Sequence, residues 1–555
     1  MNTLTPSSIA VVILLCAAGI VRAETPPAKP RLAETPPMGW NSWEAFRRDF
    51  DEDVIKAEVD AMVASGLRDA GYSYFVIDGG WKPASRDAEG NLICDPKKFP
   101  HGMKAIADYV HARGLKFGLH QPAGMHDCPK LSPGSQGHEE ADAAVLASWD
   151  VDFVKYDQCD YVHPPNATTG APDFDRFVLR QDKNTVFSTE AEAVQNHLTG
   201  LARVEHRAGC SGGRVVSAIG YDKGALIIPD LTAPAAGRYS LDVYFFYPFF
   251  GWNMDQFKTV TFFVAVNDAP APQRVEVPFN RDQRYTSGMV TVEVELKQGV
   301  NRITLDNPLS KEENVRQSYV KMANALNGTG RPIVFSISGA ARPWLWAEPI
   351  AHLYRCEADI VDRWSGGTGS TITAVVDHHL HLLDYAAVEF WPDPDMLEVG
   401  RKGRVDRPER RKPAMSDAEY RAQFSLWCIM NAPLFISMDL REIEDATKKI
   451  LLNRDVIAVN QDPLASPCRC VRSAGEVQIF VKPLSDGQAV AILNRGADAT
   501  DVSLSAAELE LAGKGGNWTG QNLWTGESVS LATTAPLTAH VESHAVAMFK
   551  VTKPK

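Results

Sequence analysis

The sequence predicts an α/β protein whose parallel sheet is interrupted by an all-β insert and followed by a second all-β domain. Three observations carry this prediction. From Pro37 to Val154, short apolar runs alternate with stretches of helical periodicity. From about Phe187 to Pro308 the pattern changes to short alternating strands with turn signals, and beyond about Pro463 only short strands remain. Buried apolar strands separated by helices imply parallel pairing, whereas alternating strands with tight turns imply antiparallel sandwiches. A chain of 555 residues is too long for one ordinary core, so two to four domains are expected.

In chain order, Glu24 to Ala33 is Pro-rich and polar and reads as a linker or arm. Helical periodicity over Asp53 to Ser65 leads to the apolar strand Tyr74 to Ile77, and a helix over Met103 to Arg113 leads to Leu115 to Leu119. Ala141 to Ser148 then leads into Val151 to Val154. The change of period is marked by Ala225 to Ile228, Tyr239 to Tyr247, Thr259 to Val266, Met289 to Leu296 and Asn301 to Leu305. A helix over Ser310 to Leu326 and a strand over Pro332 to Ile337 resume the first pattern, so a β-module is inserted into a βα repeat. Ile360 to Trp364, Ala386 to Trp391 and a helix over Ser416 to Met430 follow. Val477 to Val481 and Ala489 to Leu493 open the last domain. The expected segments are 34–186 and 309–462 for the parallel domain, 187–308 for the insert and 463–555 for the C-terminal domain.

A net charge of -12 argues against nucleic acid or an anionic membrane surface as partner. The 12 Trp and 14 Tyr suit a neutral sugar, whose C–H faces stack on aromatic rings. Residues 1–23 read as a secretory signal: Ile9 to Ile20 is too short an apolar run to span a bilayer, and Val21-Arg22-Ala23 offers small residues for cleavage. No transmembrane segment is expected, and the protein is expected to be secreted or periplasmic. Leu15-Cys16 is a poor lipoprotein site, so a lipid anchor is not expected. There is no CxxC pair, which argues against structural zinc.

Aspartates cluster at expected strand ends: Asp78, Asp157, Asp359, Asp393 and Asp395. In a barrel these ends share the face where catalysis sits. Two carboxylates facing one bond can hydrolyse a glycoside if one stays ionised as nucleophile and the other holds a proton for the leaving group. Lys155, two residues from Asp157, would favour the ionised form there. The competing reading of any single such aspartate is a cap on the following helix.

Five motifs sharpen this. Thr35-Pro36-Pro37-Met38-Gly39-Trp40-Asn41-Ser42-Trp43, Ile77-Asp78-Gly79-Gly80-Trp81, Lys155-Tyr156-Asp157-Gln158-Cys159, Arg355-Cys356-Glu357-Ala358-Asp359 and Trp391-Pro392-Asp393-Pro394-Asp395-Met396-Leu397 occur in this order. In motifs and order the chain resembles glycoside hydrolase family 27, which holds α-galactosidases and α-N-acetylgalactosaminidases. The resemblance spans about residues 34 to 462 outside the insert. It implies a (β/α)8 TIM barrel, a C-terminal antiparallel β-domain and retaining hydrolysis through a covalent glycosyl-enzyme. By motif, Asp157 matches the nucleophile and Asp359 the acid/base. Trp43, Asp78, Lys155 and Arg355 match residues that hold the sugar, with Asp395 a further candidate, and Cys128 and Cys159 match a disulfide at the rim. The chemistry implied needs no cofactor and no catalytic metal.

The chain departs from the family's pattern at the sugar pocket. Gly79 stands where α-galactosidases typically have a second aspartate, His120 replaces a usual Tyr, and Ser336 and Ser338 stand near the expected C2 pocket. The expectation is an α-galactosidase acting on the terminal α-D-galactosyl residues of an oligo- or polysaccharide. The alternatives are the same mechanism on a β-L-arabinopyranoside, an α-N-acetylgalactosaminide or an isomalto-type α-glucoside, or a glycan-binding protein without turnover. The insert resembles a carbohydrate-binding module of the family 6 or 35 sandwich type, which makes Glu190 and Glu192 candidate ligands of a structural calcium. Trp252 and the Phe245 to Phe250 aromatics are candidates for glycan stacking or sandwich core.

Overall fold

The computed structural model describes residues 31–552 apart from 249–257, 268, 270, 280–282, 284–285, 367–369, 403–413, 512–517 and 532–535. The expected signal segment and Trp252 lie outside the described residues.

Eight strands form one parallel sheet: β1 (Met38–Asn41), β2 (Tyr74–Ile77), β3 (Lys116–Pro122), β4 (Phe153–Asp157), β5 (Val334–Ser338), β6 (Leu353–Arg355), β7 (Trp391–Asp393) and β8 (Leu434–Ile436). Their order is β7-β6-β5-β4-β3-β2-β1-β8. A parallel bridge between Leu397, just past β7, and Ile436 joins the two ends and closes the barrel. Strand side chains alternate between faces, so each strand sends every second residue into the lumen. Tyr74, Val76, Phe153, Val334, Leu353 and Phe435 pack together there, while Phe75, Ile77, Leu119 and Val154 join the core beneath the helices. The lumen leaves no slack at Gly118, where a Cβ would lie 2.8 Å from Val76 and 3.0 Å from Phe153.

The same alternation builds the site. Continuing the lumen series toward the C-terminal ends, Tyr74 and Val76 lead to Asp78, Phe153 leads to Lys155 and Asp157, and Leu353 leads to Arg355. Each inward face is apolar where it fills the barrel and charged where it emerges.

The inserted sandwich has two antiparallel sheets, one of five strands centred on Gly299–Asp306 and one of six centred on Gly237–Phe246 and Asp173–Gln181. Asp173–Gln181 and Asn184–Glu190 belong to this sandwich although all of the first and the start of the second precede residue 187, where the insert was expected to begin. Its core takes Phe245, Phe246 and Tyr247. For these three aromatics, core filling therefore replaces glycan stacking. A buried charge network fastens the sandwich to the barrel. Asp173 is fully buried and accepts from Arg342 at 2.8 Å and Arg207 at 2.9 Å, and Tyr385 donates to Glu205 at 2.7 Å.

The C-terminal domain, with a six-stranded antiparallel sheet that includes Val477–Leu484, Gly487–Asn494 and Ala545–Thr552, packs on the helix Asp417–Ile429. Trp524 donates to Ser425 across that contact at 3.0 Å. No described helix is long and apolar enough to cross a membrane.

Candidate active site

A cleft of about 630 Å³ opens at the C-terminal ends of the barrel strands. Trp43, Asp78, Lys155, Asp157, Arg355, Asp359 and Asp395, all singled out from sequence, line it together. Gly79 and His120 do so as well. Ser336 and Ser338 do not. Both are buried, at 4% and 3% exposed, and pair in register with Lys155 and Asp157 on the neighbouring strand. Trp40 and Asp393 also fall outside the lining; the Trp40 indole donates to the Met438 carbonyl at 2.8 Å as part of the core.

Asp78 is a buried carboxylate with three donors. It accepts from Lys155 at 2.8 Å, from Asn41 at 3.0 Å and from the Gly79 amide at 2.8 Å. Burial would raise its pKa, but the charges of Lys155 and then His120, with these hydrogen bonds, hold it well below the ordinary carboxylate range.

Asp157 sits at the tip of β4, where Ala123 N donates to its carbonyl at 2.7 Å and Ser338 O accepts from the next amide at 3.0 Å. As expected from the sequence, the charge of Lys155 favours the ionised form of Asp157, while its ammonium donates its hydrogen bond to Asp78, just past β2. His120 lies against the Asp157 carboxylate, with Nε2 3.6 Å from Oδ2, too long for a hydrogen bond but close for a charge contact. Burial pushes the Asp157 pKa up; His120 and the charge of Lys155 outweigh it and hold the group below its usual value. Asp157 Oδ1 is buried with no hydrogen-bond partner among the described residues. Gly339 protects that oxygen. Its φ is +77, a region that favours glycine, and a Cβ there would lie 3.0 Å from Asp157 Oδ1 and 2.8 Å from Gln158 Cβ.

Across the cleft, the Arg355 guanidinium is buried between two carboxylates: it donates to Asp359 at 3.2 Å and bonds Asp395. Asp395 also accepts from the Ile360 amide at 2.8 Å, which pins the Asp359 loop to the strand end. Burial, with the neighbouring charges of Asp359 and Asp393 outweighing the pull of Arg355, pushes Asp395 up to about 6. The Asp359 side chain is 60% exposed, at the mouth. Asp395 therefore anchors Arg355, while Asp359, also bonded to Arg355, is exposed at the mouth.

Cys128 and Cys159 form a disulfide, and both line the cleft. Cys94, Cys210, Cys356, Cys428, Cys468 and Cys470 are free thiols. Five buried polar atoms of lining residues have no partner among the described residues: Asp157 Oδ1, His120 Nδ1, Arg355 Nε, His163 Nδ1 and Glu312 Oε1. An unpaired buried polar atom costs about 1–3 kcal/mol, so five in one cleft describe a surface completed by a polar ligand. The lining holds carboxylates of opposite character, one kept ionised and one exposed, around a hydroxyl-sized set of donors and acceptors. That arrangement suits transfer of a glycosyl group.

Residues 35–219 and 290–462 match the family model described as alpha galactosidase A, and residues 474–551 match that of the α-galactosidase C-terminal β-sandwich domain. The chain is 28% identical over 524 residues to an α-galactosidase of Cyamopsis tetragonoloba, covering 94% of this chain and 87% of that one. It is 29% identical over 541 residues to α-galactosidase A of Cellvibrio japonicus, covering 94% and 93%. In fold it resembles the crystal structure of α-galactosidase I from Mortierella vinacea, with a TM-score of 0.63 at 23% identity, covering 94% of this chain and 98% of that one. The barrel, the domain that follows it and the strand-end residues that meet in the cleft agree with one assignment: this chain belongs to the α-galactosidase family, glycoside hydrolase family 27.

Proposed function

We propose that this chain is a retaining α-galactosidase that removes terminal α-D-galactosyl residues from oligo- or polysaccharides, with Asp157 as nucleophile and Asp359 as acid/base. The observation that carries the assignment is the pairing of an ionised, unpartnered Asp157 oxygen with an exposed Asp359 in one cleft. Asp157 Oδ1 attacks C1 as the bond from C1 to the leaving oxygen breaks, and Asp359 gives that oxygen its proton. In the second half, Asp359 takes a proton from water, the water oxygen attacks C1, and the ester bond to Asp157 breaks. Asp78, Lys155, Arg355 and Trp43 bind the sugar, and Asp395 holds Arg355 in place. Asp157→Ala is expected to lower kcat/KM on an aryl α-galactoside roughly 10⁴-fold or more. An Asp157→Ala protein as active as wild type, or a first product of inverted anomeric configuration by NMR, overturns the assignment.

A second reading keeps the mechanism and changes the sugar to a β-L-arabinopyranoside, which lacks the C6 hydroxymethyl. Gly79 favours it. A Cβ there would meet only Trp43, at 3.5 Å, so the wall lacks a side chain at this point. Rates on a panel of nitrophenyl glycosides decide between the two, with the galactoside expected to be cleaved fastest. Export through the signal segment of residues 1–23 is part of the proposal; N-terminal sequencing of the exported protein checks it.

The insert's calcium belongs here too. Glu190 Oε2, Glu192 Oε2 and Asn196 Oδ1 are buried with no hydrogen-bond partner among the described residues. Ser211 links Glu190 to Asp175, its hydroxyl donating to Glu190 at 2.9 Å and its amide to Asp175 at 2.9 Å. Burial, with the negative charges of Glu190 and Glu192, raises the Asp175 pKa. Hard oxygen donors with excess negative charge fit calcium. These residues would hold the ion as a structural brace, remote from the hydrolysis. A chelator is expected to lower the unfolding midpoint of the protein and added calcium to restore it, and Glu192→Gln to abolish the difference.

A further inference from the structure

Asp359 sits on a short loop whose cleft side and rear are held by different groups. Strand β6 ends at Arg355, and Asp359 reaches the cleft four residues later. Cys356 and Glu357, between them, do not line the cleft and are 1% and 7% exposed. On the cleft side, Arg355 donates to Asp359 at 3.2 Å and the Ile360 amide donates to Asp395 at 2.8 Å. Arg355 is assigned to the sugar as well, and the Asp359 side chain is 60% exposed. What aims the Asp359 carboxyl during turnover is therefore the backbone that carries it.

The rear of that loop is gripped by one helix. Ile372–His379 ends in two imidazoles, and successive helical residues point about 100° apart, so the pair can engage two neighbouring loop residues. His378 Nδ1 bonds the Glu357 carboxylate, and His379 Nδ1 lies 3.7 Å from the Cys356 thiol. Cys356 also donates through its thiol to the Asp393 carbonyl at 3.2 Å. The helix packs into the core through Ile372, Val375 and Val376, and Trp344 meets the His378 ring edge-on at 6.4 Å. Just past Asp359, the Val361 amide donates to Ser370 O at 3.1 Å. A buried carboxylate costs desolvation unless it is paired, and neither sugar binding nor proton transfer calls for one at Glu357.

We propose that Glu357 and His378 are positioning residues for Asp359: their contact fixes the loop from behind, so that Asp359 presents its proton to the leaving oxygen. The proposal rests on the reading of Asp359 as acid/base. A general acid works only within hydrogen-bond reach of the atom it protonates, and a misplacement of about 1 Å can cost about 100-fold. Loosening the loop would therefore slow the substrates that need the proton and spare those that do not.

The test compares kcat/KM on methyl α-galactoside, whose leaving oxygen must be protonated, with kcat/KM on α-galactosyl fluoride, whose departing fluoride needs little help from an acid. The galactoside-to-fluoride ratio is expected to fall roughly tenfold in Glu357→Ala and in His378→Ala. Glu357→Gln keeps an acceptor for the imidazole and is expected to stay within about threefold of the wild-type ratio. Asp359→Ala is the reference, with an expected fall of roughly 100-fold or more. A ratio unchanged within about twofold in either alanine variant, whether both rates hold or both fall together, overturns the proposal and leaves the pair a role in folding alone. A Glu357→Gln ratio as low as that of Glu357→Ala also overturns it. Because a ratio does not depend on the fraction of folded enzyme, a poorly folding variant still reports, and His378→Ala probes the same contact from the helix side. If Asp359→Ala itself leaves the ratio unchanged, the acid/base reading fails rather than the positioning one.

Discussion

The behaviour of Asp157 is set by His120 more than by Lys155. His120 approaches the carboxylate at 3.6 Å, while the ammonium of Lys155 is engaged 2.8 Å from Asp78. Both neighbours depress the Asp157 pKa, His120 the more strongly once burial is overcome. A nucleophile must be ionised, so activity is lost as pH falls through the folded-state pKa of Asp157, which lies below the ordinary value. His120→Ala removes the larger depressing influence, and the acid limb of the kcat/KM profile is expected to move to higher pH. A limb that stays in place or moves lower would show that Lys155 alone sets the ionisation. Asp78 follows the same sign: its depressed pKa adds stability above the unfolded carboxylate value, and that contribution is lost as pH falls through the folded one.

Between elements, the decisive contacts are those that fix the insert to the barrel. Arg342, four residues past the end of β5, is 4% exposed and takes φ 49 to point its guanidinium at Asp173 in the first strand of the sandwich. Arg207 shares that carboxylate, and Arg203 of the sandwich donates to the Leu345 carbonyl of the barrel at 2.8 Å. Removing one partner of a buried ion pair is far costlier than never having formed it, because the remaining charge stays out of water. Arg342→Met is therefore expected to destabilise the protein by about 3 kcal/mol in chemical denaturation. Because Gly339 and Ala341, just before Arg342, line the cleft, KM on oligosaccharides is expected to rise with it. A variant as stable as wild type would mean that Arg207 alone compensates Asp173.

Over the whole molecule, the disulfide and the closed barrel act together. Cys128 and Cys159 are separated by 31 residues and join the loops after β3 and β4 at the rim. Restricting the unfolded chain over such a loop contributes about 3–4 kcal/mol. Replacing both cysteines by serine is expected to lower stability by that amount and to weaken substrate binding, since both residues line the cleft. Unfolding in denaturant with and without reductant checks it; equal stability would show that packing alone fixes these loops.

Much of this was legible in the sequence, and the rest was hidden for identifiable reasons. Tyr74–Ile77 was legible because four consecutive apolar residues follow a periodic helix, and Thr259–Val266 because alternation and turn residues bound it. Strands β1, β6 and β8 were not, because three or four residues carry too little pattern to separate a strand from a loop. The start of the insert at Asp173 was hidden because Asp173–Gln181 is nearly all buried and reads like another strand of the barrel. By itself the sequence determined the family, the order of the domains and the residues that meet at the strand ends, since motif identity and period-two alternation are local properties of the chain. Only the tertiary structure decided which charge faces which. Lys155 bonds Asp78, His120 lies against the nucleophile, and Asp395 bonds Arg355. These pairings join residues 37 to 77 positions apart, and they follow from barrel closure and loop packing, which no local pattern encodes.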